Sequence, residues 1–298
     1  MRDPILRVIS AFKRLNSRDL RILNAIERGM AFHEIVPVER IASLSGMNLD
    51  VVLVHLSKLH KLGLIWRNIG PYVGYVLTTA GYDCLALNAL VKAGIIEALG
   101  HKLGVGKESD VYDALSPAGS RLAVKFHRLG RISFRQTRRY RAFIGERRHI
   151  SWLYQSRLAA EREYEALNLV FAKGVHVPRP IGHNRHVVVT SFIEGIQLVG
   201  LKELPDPEGL LLSILEDIKI AYREAGVIHG DLSEYNIIVH IGDEQSYVII
   251  DWPQWVSSIH PSSDMLLRRD IRNVLNFFRR RFGIKLDVDR VLDYVKSK

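Results

Sequence analysis

The change in secondary-structure pattern at about Ile95 constrains the fold of this chain more than any other feature. Before it, three short segments with helical apolar spacing precede two β-rich runs around Ile69-Gly70-Pro71, and one more helical segment follows. Three helices followed by a hairpin are the order of a winged helix-turn-helix. We therefore predict this domain over residues 1–92.

From Ile95 onward the chain favours strands first and helices later. Three consecutive strand patterns come before a long amphipathic helical segment, two more strand patterns follow, and beyond Leu210 most of the pattern is helical. A β-rich lobe followed by a helix-rich lobe is an α+β arrangement with a cleft between the lobes. We predict a second domain over residues 93–298, with its N-lobe at about 93–193 and its C-lobe at about 194–298.

The composition predicts a protein of a reducing compartment. Hydrophobic residues make up 47% of the 298 residues and charged residues 25%, which is typical of a well-packed globular chain. Cys84 is the single cysteine, so no disulfide can form within the chain, and we expect it in the core. The start lacks a long apolar run, and the most apolar stretch, 210–220, is interrupted by charged residues. We therefore predict a cytoplasmic protein that has no membrane partner.

Positive charge is concentrated in one segment of a chain whose net charge is +10. The segment Arg128–Arg148 contains eight arginines against a single glutamate. Such clustering favours a phosphate-rich partner, with nucleic acid as the first candidate, over a merely solvated helix face. The segment also contains three aromatic residues that would stack on unpaired bases or dock a mobile loop, namely Phe134, Tyr140 and Phe143.

A glycine-rich turn lies between the first two strand patterns of the second domain, with the sequence Gly104-Val105-Gly106-Lys107-Glu108-Ser109. Two glycines in such a turn let backbone N–H groups approach a phosphate. Ser109 stands where the protein-kinase loop has its third glycine, and the order Lys107-Glu108 does not fit a Walker A loop. By itself the pattern is weak, because a Gly-x-Gly hairpin turn is common.

A lysine ends the next strand pattern, Leu122-Ala123-Val124-Lys125. Such a lysine can reach the α- and β-phosphates of a nucleotide, provided that a helix carboxylate holds its ammonium group. The amphipathic segment that follows offers Glu161, Glu163 and Glu165. We predict Glu163 as the partner, because Leu167 lies one turn later on the same face and can pack inward. Alone, Lys125 would be a surface residue at a strand end.

The stretch from Val227 to Asn236, VIHGDLSEYN, carries the strongest chemical signal. Asp231 and Asn236 have the spacing of a kinase catalytic loop, in which the aspartate handles the attacking hydroxyl or water and the asparagine binds a metal ion. Asp251 follows an apolar strand pattern, where a carboxylate can hold Mg²⁺. Gly230 replaces the usual arginine, and no Ala-Pro-Glu motif follows Asp251. We therefore predict that a full activation segment is lacking.

Three stretches, GVGKESDVY, HGDLSEYN and IDWPQWVSSIHPSSD, resemble the RIO atypical protein kinases, in particular their second subfamily, which carries an N-terminal winged helix. The resemblance covers nearly the whole chain. It implies an α+β fold in which a winged helix-turn-helix precedes a compact, bilobal, protein-kinase-like domain. It also implies ATP and Mg²⁺ as cofactors, with Mn²⁺ as a substitute, serine autophosphorylation or ATPase activity, and a role in maturation of the small ribosomal subunit.

The resemblance also implies a role for each motif. Ser109 and the backbone of its turn would contact phosphates, and Lys125 with Glu163 would form an ion pair. Asp231 would be the catalytic carboxylate. The metal ligands would be Asn236 and Asp251.

The hinge that meets adenine in this family corresponds to Thr190 through Ile193, with Thr190, Ser191 and Ile193 as the predicted contacts. A larger residue and an acidic one are expected at the first two positions, so the resemblance predicts a differently shaped adenine pocket. The flexible loop of the family corresponds to residues 129–146. The end of the chain at Lys298 resembles the shorter archaeal form.

The N-terminal domain is a second predicted nucleic-acid contact, because winged helices usually read DNA with their third helix. The resemblance favours ribosomal RNA of the pre-ribosomal small subunit, and a packing or protein-docking role is the alternative. The residues that we expect to face outward are His55, Lys58, His60 and Lys61 on the third helix and Arg67 and Asn68 at the wing. We expect that helix to bury Val51, Val54, Leu59 and Leu62, and we expect Gly29 to end the first long helix.

Two other functions fit parts of the pattern. A small-molecule kinase of the aminoglycoside or choline type also uses a His-Gly-Asp loop, but the Arg-rich segment and the winged helix do not suit a small metabolite. A regulator that binds ATP without turnover would not need Lys125, Asp231, Asn236 and Asp251 together. The protein substrate is not indicated by the sequence, and Ser133, Thr137 and Ser151 are candidate autophosphorylation sites.

Overall fold

The structure is a computed structural model that describes residues 4–70, 72–129, 152–241 and 245–297. The chain divides into two compact units, one formed by Met1–Gly94 with Arg128–Gln155 and the other by Ile95–His127 with Ser156–Lys298. Residues 130–151, most of the Arg-rich segment, lie outside the described residues. The predictions that fall there concern Ser133, Thr137, Ser151, Phe134, Tyr140 and Phe143.

The first unit is a winged helix-turn-helix. Its helices are α1 (Pro4–Phe12), α2 (Ser17–Gly29), α3 (Val38–Ser45), α4 (Leu49–Lys61) and α5 (Thr79–Lys92). Its strands are β1 (Val36–Pro37), β2 (Ile65–Ile69) and β3 (Val73–Leu77), which form an antiparallel sheet with β3 in the centre. The Asn48 and Thr78 side chains cap α4 and α5 by accepting backbone N–H groups of the first turn.

Helix α2 ends at Gly29, as predicted, and Met30 follows it as the cap residue. Gly29 is the buried last residue of the helix. A Cβ added to Gly29 would lie 2.4 Å from Val36 Cγ1, so the missing side chain allows β1 to pack against the helix.

The buried face of α4 differs from the prediction. Its buried residues are Val52, Leu56 and Leu59, whereas Val54 is 70% exposed. Apolar residues occupy most positions in the first half of α4, so helical spacing fits two overlapping stripes. Packing against α2 and α3 selects one of them.

The second unit begins with a five-stranded antiparallel sheet in the order β4-β5-β6-β8-β7. Its strands are β4 (Ala98–Val105), β5 (Ser109–Leu115), β6 (Arg121–His127), β7 (Pro180–Asn184) and β8 (Val187–Ser191). Helix α6 (Trp152–Phe171) lies between β6 and β7 in the chain. Leu122, Val124 and Phe126 are buried on one face of β6, so Lys125 and His127 lie on the other.

The remainder of the second unit is mostly helical, as predicted. Its helices are α7 (Pro207–Arg223), α8 (Ser263–Phe282) and α9 (Val288–Lys296), with 3-10 turns at Leu198–Gly200 and Glu234–Asn236. Its strands are β9 (Ile196–Gln197), β10 (Val227–Ile228), β11 (Ile237–Ile241), β12 (Gln245–Ile249) and β13 (Val256–Ser257). They form two small sheets, β12-β11-β9 and β10-β13. The predicted α+β fold is confirmed.

The single cysteine occupies the predicted core position. Cys84 is buried in α5, and burial raises the pKa of its thiol to about 12. Within the described ranges, every helix is too short or too polar to cross a membrane.

Candidate active site

The glycine-rich turn joins β4 to β5 at the edge of a cleft in the second unit. The Gly106 N–H donates to the Ser109 carbonyl at 2.8 Å and closes the turn. Four residues of the turn line the cleft: Gly104, Val105, Gly106 and Ser109. Lys107 and Glu108 belong to the same turn but are not among the described residues that line the cleft. The turn can therefore offer backbone N–H groups and one hydroxyl to an anion.

Lys125 on β6 and Glu163 on α6 form an ion pair, with 2.6 Å between Nζ and Oε1. The second carboxylate oxygen of Glu163 lies 2.7 Å from His127 Nε2. His127 was missed at the sequence level, although its position two residues after Lys125 on a strand places both side chains on one face. The backbone N–H of His127 donates to the His186 carbonyl at 2.8 Å.

Charge, not burial, decides the protonation of this cluster. Burial alone would raise the pKa of Glu163, but Lys125 and His127 outweigh it and lower that pKa to about 2. Burial opposes the charged form of Lys125, but Asp251 and Glu163 raise the pKa of its ammonium group above the ordinary value. Both groups of the ion pair are therefore charged at neutral pH.

Asp251 also contacts Lys125, with 2.5 Å between Oδ1 and Nζ. It follows β12 and adopts a left-handed backbone conformation with φ of 70°, which is uncommon for a residue other than glycine. Its side chain is 46% exposed and lines the cleft. The structure thus brings Lys125, Glu163 and Asp251 together, although Asp251 lies far along the chain from the other two.

Asn236 and Asp231 occupy different positions relative to the cleft. The Asn236 side chain is buried and lines the cleft, and its Nδ2 donates to the Asp231 backbone carbonyl at 2.9 Å. Because Nδ2 is engaged, Oδ1 is the atom of this amide that can ligate a cation. The Asp231 side chain is exposed and is not among the described residues that line the cleft.

The loop that carries Asp231 is held by α8, which the sequence did not indicate. The buried Asp270 carboxylate accepts the N–H groups of Gly230 at 2.7 Å and Leu232 at 3.1 Å. Burial raises the pKa of Asp270, although these hydrogen bonds oppose the shift. Asn273 Nδ2 donates to the Leu232 carbonyl at 3.0 Å, and Arg269 donates to the Gly230 carbonyl.

The segment after Asp251 packs against the same loop. The Trp252 ring lies 4.6 Å from the His229 ring, and its Nε1 donates to the Ile249 carbonyl at 3.1 Å. Gly230 has φ of 76°, and a Cβ at this position would lie 2.6 Å from the Gln254 carbonyl oxygen. A side chain at position 230 would therefore displace the segment, which gives a physical reason for glycine where kinases carry arginine.

The cleft has a volume of about 630 Å³ and combines an apolar wall with a polar floor. Of the predicted hinge residues, Thr190, Ser191 and Ile193 all line it. Ser191 Oγ accepts the Arg179 N–H at 3.0 Å, so this hydroxyl already has a partner. The apolar side chains of the wall are Leu103, Val111, Ala123, Leu167, Val188, Ile238 and Ile250. A wall of this kind suits a planar ring, and the floor suits phosphates.

Helix α4 is the one predicted to be the third helix of the winged helix-turn-helix, and its outward face is less basic than predicted. His55 Nδ1 lies 2.6 Å from Asp19 Oδ1, and Lys58 Nζ contacts Asp19 Oδ2 at 2.5 Å and the Arg14 carbonyl at 2.8 Å. The prediction that His55 faces outward is therefore wrong, because the buried carboxylate on α2 draws its ring in. Lys58 pairs with the same carboxylate but keeps a side chain that is 35% exposed. His60 and Lys61 are exposed, as predicted, and so is Arg67 on the wing, whereas Asn68 is half-buried.

Comparisons with known proteins agree with this architecture. The RIO domain family matches residues 110–291, and the Rio2 N-terminal domain family matches residues 12–93. A RIO-type serine/threonine-protein kinase Rio2 of Methanocaldococcus jannaschii is 43% identical, over 89% of this chain and 99% of the relative. The serine/threonine-protein kinase rio2 of Schizosaccharomyces pombe is 38% identical, over 97% of this chain and 84% of its own.

A solved structure gives the same result. The crystal structure of the Rio2 kinase-ADP/Mg²⁺-phosphoaspartate complex from Chaetomium thermophilum matches with a TM-score of 0.84 and 33% identity, over 97% of this chain and 89% of the other. Together the relatives confirm the predicted protein-kinase class over the small-molecule alternative. The chain belongs to the Rio2 family of RIO-type serine/threonine-protein kinases.

Proposed function

We propose that this protein transfers the γ-phosphoryl group of Mg-ATP to serine or threonine and to water, so that it works as a protein kinase and an ATPase. One observation carries the proposal: Lys125 Nζ lies within 2.6 Å of both Glu163 and Asp251 at the floor of the cleft. An ammonium group that Glu163 holds in place can keep its position while phosphate oxygens replace Asp251 as its other partner.

The site residues divide between the two ends of the nucleotide. In our proposal, the turn from Gly104 to Ser109 and Lys125 hold the phosphates, with Lys107 and Glu108 contributing backbone groups at most. Thr190, Ser191 and Ile193 lie where the adenine ring would meet the hinge, beside the apolar wall. The proposed domains are residues 1–92 and 93–298.

The side chains near the phosphates fit Mg²⁺. Asn236 offers an amide oxygen and Asp251 a carboxylate, and Mg²⁺ prefers oxygen ligands. In the described part of the chain no group of three His, Cys, Asp or Glu side chains could hold a metal. This suits an ion that takes its remaining ligands from phosphates and water. Bound Mg²⁺ would neutralise phosphate charge, and Mn²⁺ would fit the same oxygen ligands.

The Rio2 kinase of Chaetomium thermophilum was crystallised as an ADP/Mg²⁺-phosphoaspartate complex. We propose that ATP turnover in the present protein also passes through a phosphoaspartate. A carboxylate oxygen attacks the γ-phosphorus, the bond to the β-phosphate oxygen breaks and ADP leaves. Water then attacks the acyl phosphate and releases inorganic phosphate. Asp251 lines the cleft and Asp231 lies beside it, so these are the two candidate residues for carrying the phosphoryl group.

We propose that the protein acts in the cytoplasm on the pre-ribosomal small subunit and contacts ribosomal RNA. The match to the Rio2 N-terminal domain supports nucleic-acid binding by the first unit. His60, Lys61 and Arg67 are its exposed cations near the wing. The Arg128–Arg148 segment adds eight arginines against one glutamate.

Incubation with γ-labelled ATP and Mg²⁺, with and without small-subunit particles, tests the proposal. Labelled protein and free phosphate should both appear, and hydroxylamine should release label held on an aspartate. Asp231→Ala should keep ADP affinity and lower turnover by about 10²- to 10⁴-fold, as expected for loss of a group that handles the proton. Peptide mapping of the hydroxylamine-labile phosphate in the wild-type protein identifies the carrier, because replacing Asp251 or Asp231 would also remove a metal ligand or the group that handles the proton. Wild-type turnover in Asp231→Ala would contradict its assigned role.

A further inference from the structure

Helix α6 contacts the active site through two adjacent residues that point to different partners. Glu163 pairs with Lys125. Arg162 reaches the segment after Asp251, where its Nε donates to the Pro253 carbonyl at 3.3 Å and its Nη2 donates to the Trp255 carbonyl. In return, Trp255 Nε1 donates to the Arg162 carbonyl at 2.9 Å. The guanidinium carbon lies 5.2 Å from the centroid of the Trp255 ring. We name this reciprocal contact the Arg162–Trp255 clamp.

The clamped segment is also fixed on its other side. Trp252 packs on His229, Gln254 lies against Gly230, and β13 pairs with β10 through Val256 and Ile228. The segment therefore has little freedom to move independently of the catalytic loop. The clamp adds α6 to the same assembly.

These contacts form a closed loop of interactions that includes the Lys125 ammonium group. Lys125 contacts both Glu163 and Asp251, and Arg162 is the residue next to Glu163 in α6. The clamp then returns to the segment that begins directly after Asp251. When phosphates and a cation draw Lys125 and Asp251 apart, the clamp still ties α6 to the segment that follows Asp251. Its acceptors are neutral carbonyl groups, so the arriving charge does not compete for them.

We propose that Arg162 is a positioning residue that keeps the distance between Glu163 and Asp251 constant during phosphoryl transfer. In protein kinases with a full activation segment, phosphorylation of that segment brings the lysine–glutamate pair and the metal-binding aspartate into place. Here the clamp performs that alignment permanently. This inference rests on the proposed phosphoryl transfer.

Four variants test the clamp by ATP hydrolysis and by equilibrium titration with ADP. Arg162→Ala should lower kcat by about 10- to 100-fold and change ADP affinity by less than about threefold, because small misplacement harms transfer more than binding. Arg162→Lys can reach one carbonyl only and should fall between Arg162→Ala and wild type. Trp255→Phe removes one hydrogen bond and should lower kcat by about fivefold. Arg157→Ala is the matched control on the same helix, because its pair with Glu161 is exposed, and it should behave as wild type.

Combination with Glu163→Gln distinguishes alignment from general loss of structure. If Arg162 acts through Glu163, adding Arg162→Ala to Glu163→Gln should lower kcat little further. Equal fold-losses in the two backgrounds would overturn the proposal. If Arg162→Ala does not fold, Trp255→Phe replaces it in the same cycle. Wild-type kcat in all clamp variants would refute the clamp alone, whereas a wild-type protein without turnover would refute the proposed function.

Discussion

Each of the two units contains a buried carboxylate that holds one lysine and one histidine, and the comparison shows what makes such a cluster functional. In the first unit, Asp19 lies 2.5 Å from Lys58 Nζ and 2.6 Å from His55 Nδ1. In the second unit, Glu163 has the same two partners at 2.6 Å and 2.7 Å. Composition and distances are therefore nearly identical.

The clusters differ in the remaining partner of the lysine. Lys58 gives its other hydrogen bond to a neutral backbone carbonyl, that of Arg14. Lys125 gives its own to Asp251, a second carboxylate that lines the cleft. Lys58 therefore pairs with one carboxylate, whereas Lys125 lies between two, of which a phosphate can displace the second. A buried carboxylate with a lysine and a histidine is thus a sign of chemistry only when a second carboxylate that lines a cleft shares the lysine.

The largest expected difference in kcat between the two clusters comes from replacing the lysine of each. Lys125→Met should lower kcat for ATP hydrolysis by about 10³-fold, because it deletes a donor that is preorganised towards phosphate charge. Lys58→Met should leave kcat within about twofold, since its effect is confined to folding. Phosphate release at saturating Mg-ATP measures both. Equal losses would show that the two lysines play the same structural role.

The acid stability of the protein should reflect the Glu163 cluster. The pKa of the Glu163 carboxyl is about 2 in the folded protein, against an ordinary value of 4.5. Its ionised form therefore stabilises the fold fully above pH 4.5, and this contribution is lost as the pH falls towards 2. The loss should be on the order of 3 kcal/mol in the free energy of unfolding. Glu163→Gln should lack this part of the pH dependence in urea unfolding across that interval. Glu203→Gln removes an exposed carboxyl and should keep the wild-type curve.

Asp19→Asn should affect stability without affecting catalysis. The change weakens the charge-assisted contacts with His55 and Lys58 and should cost about 2 kcal/mol of local stability in the first unit. Hydrogen–deuterium exchange of the amides in α2 and α4 should become faster, while kcat stays at the wild-type value. A fall in kcat comparable to that of Glu163→Gln would break the distinction between the clusters.

The two histidines should show the smallest difference. His127→Gln should lower kcat by about fivefold, the effect of about 1 kcal/mol for one close polar contact with Glu163. His55→Gln should not change kcat. Steady-state hydrolysis under matched conditions measures both. An unchanged kcat in His127→Gln would show that His127 does not help to orient the Glu163 carboxylate.

Local patterns predicted the parts of the fold that depend on neighbours in the sequence. The cap residue Asn48, the β4–β5 turn and the choice of Glu163 among three glutamates all follow from spacing within one or two turns. The overlapping apolar stripes of α4 could not be separated in this way, because both satisfy the helical period. Packing against other helices decides between them.

Contacts between distant residues that belong to no catalytic motif were not predictable from spacing. Asp19 draws in His55 and Lys58 from 36 and 39 residues away, and Asp270 holds the Gly230 amide from 40 residues away. The sequence shows these groups as ordinary charged residues on helices. Their roles depend on which helices meet, which is information that a single sequence does not contain.

The close approach of Gly230 to Gln254 has a consequence for control of the enzyme. The space in which other kinases place an arginine to receive a regulatory phosphate is filled here by main chain. Position 230 therefore cannot carry the side chain through which a phosphate would control this loop unless Gln254 moves.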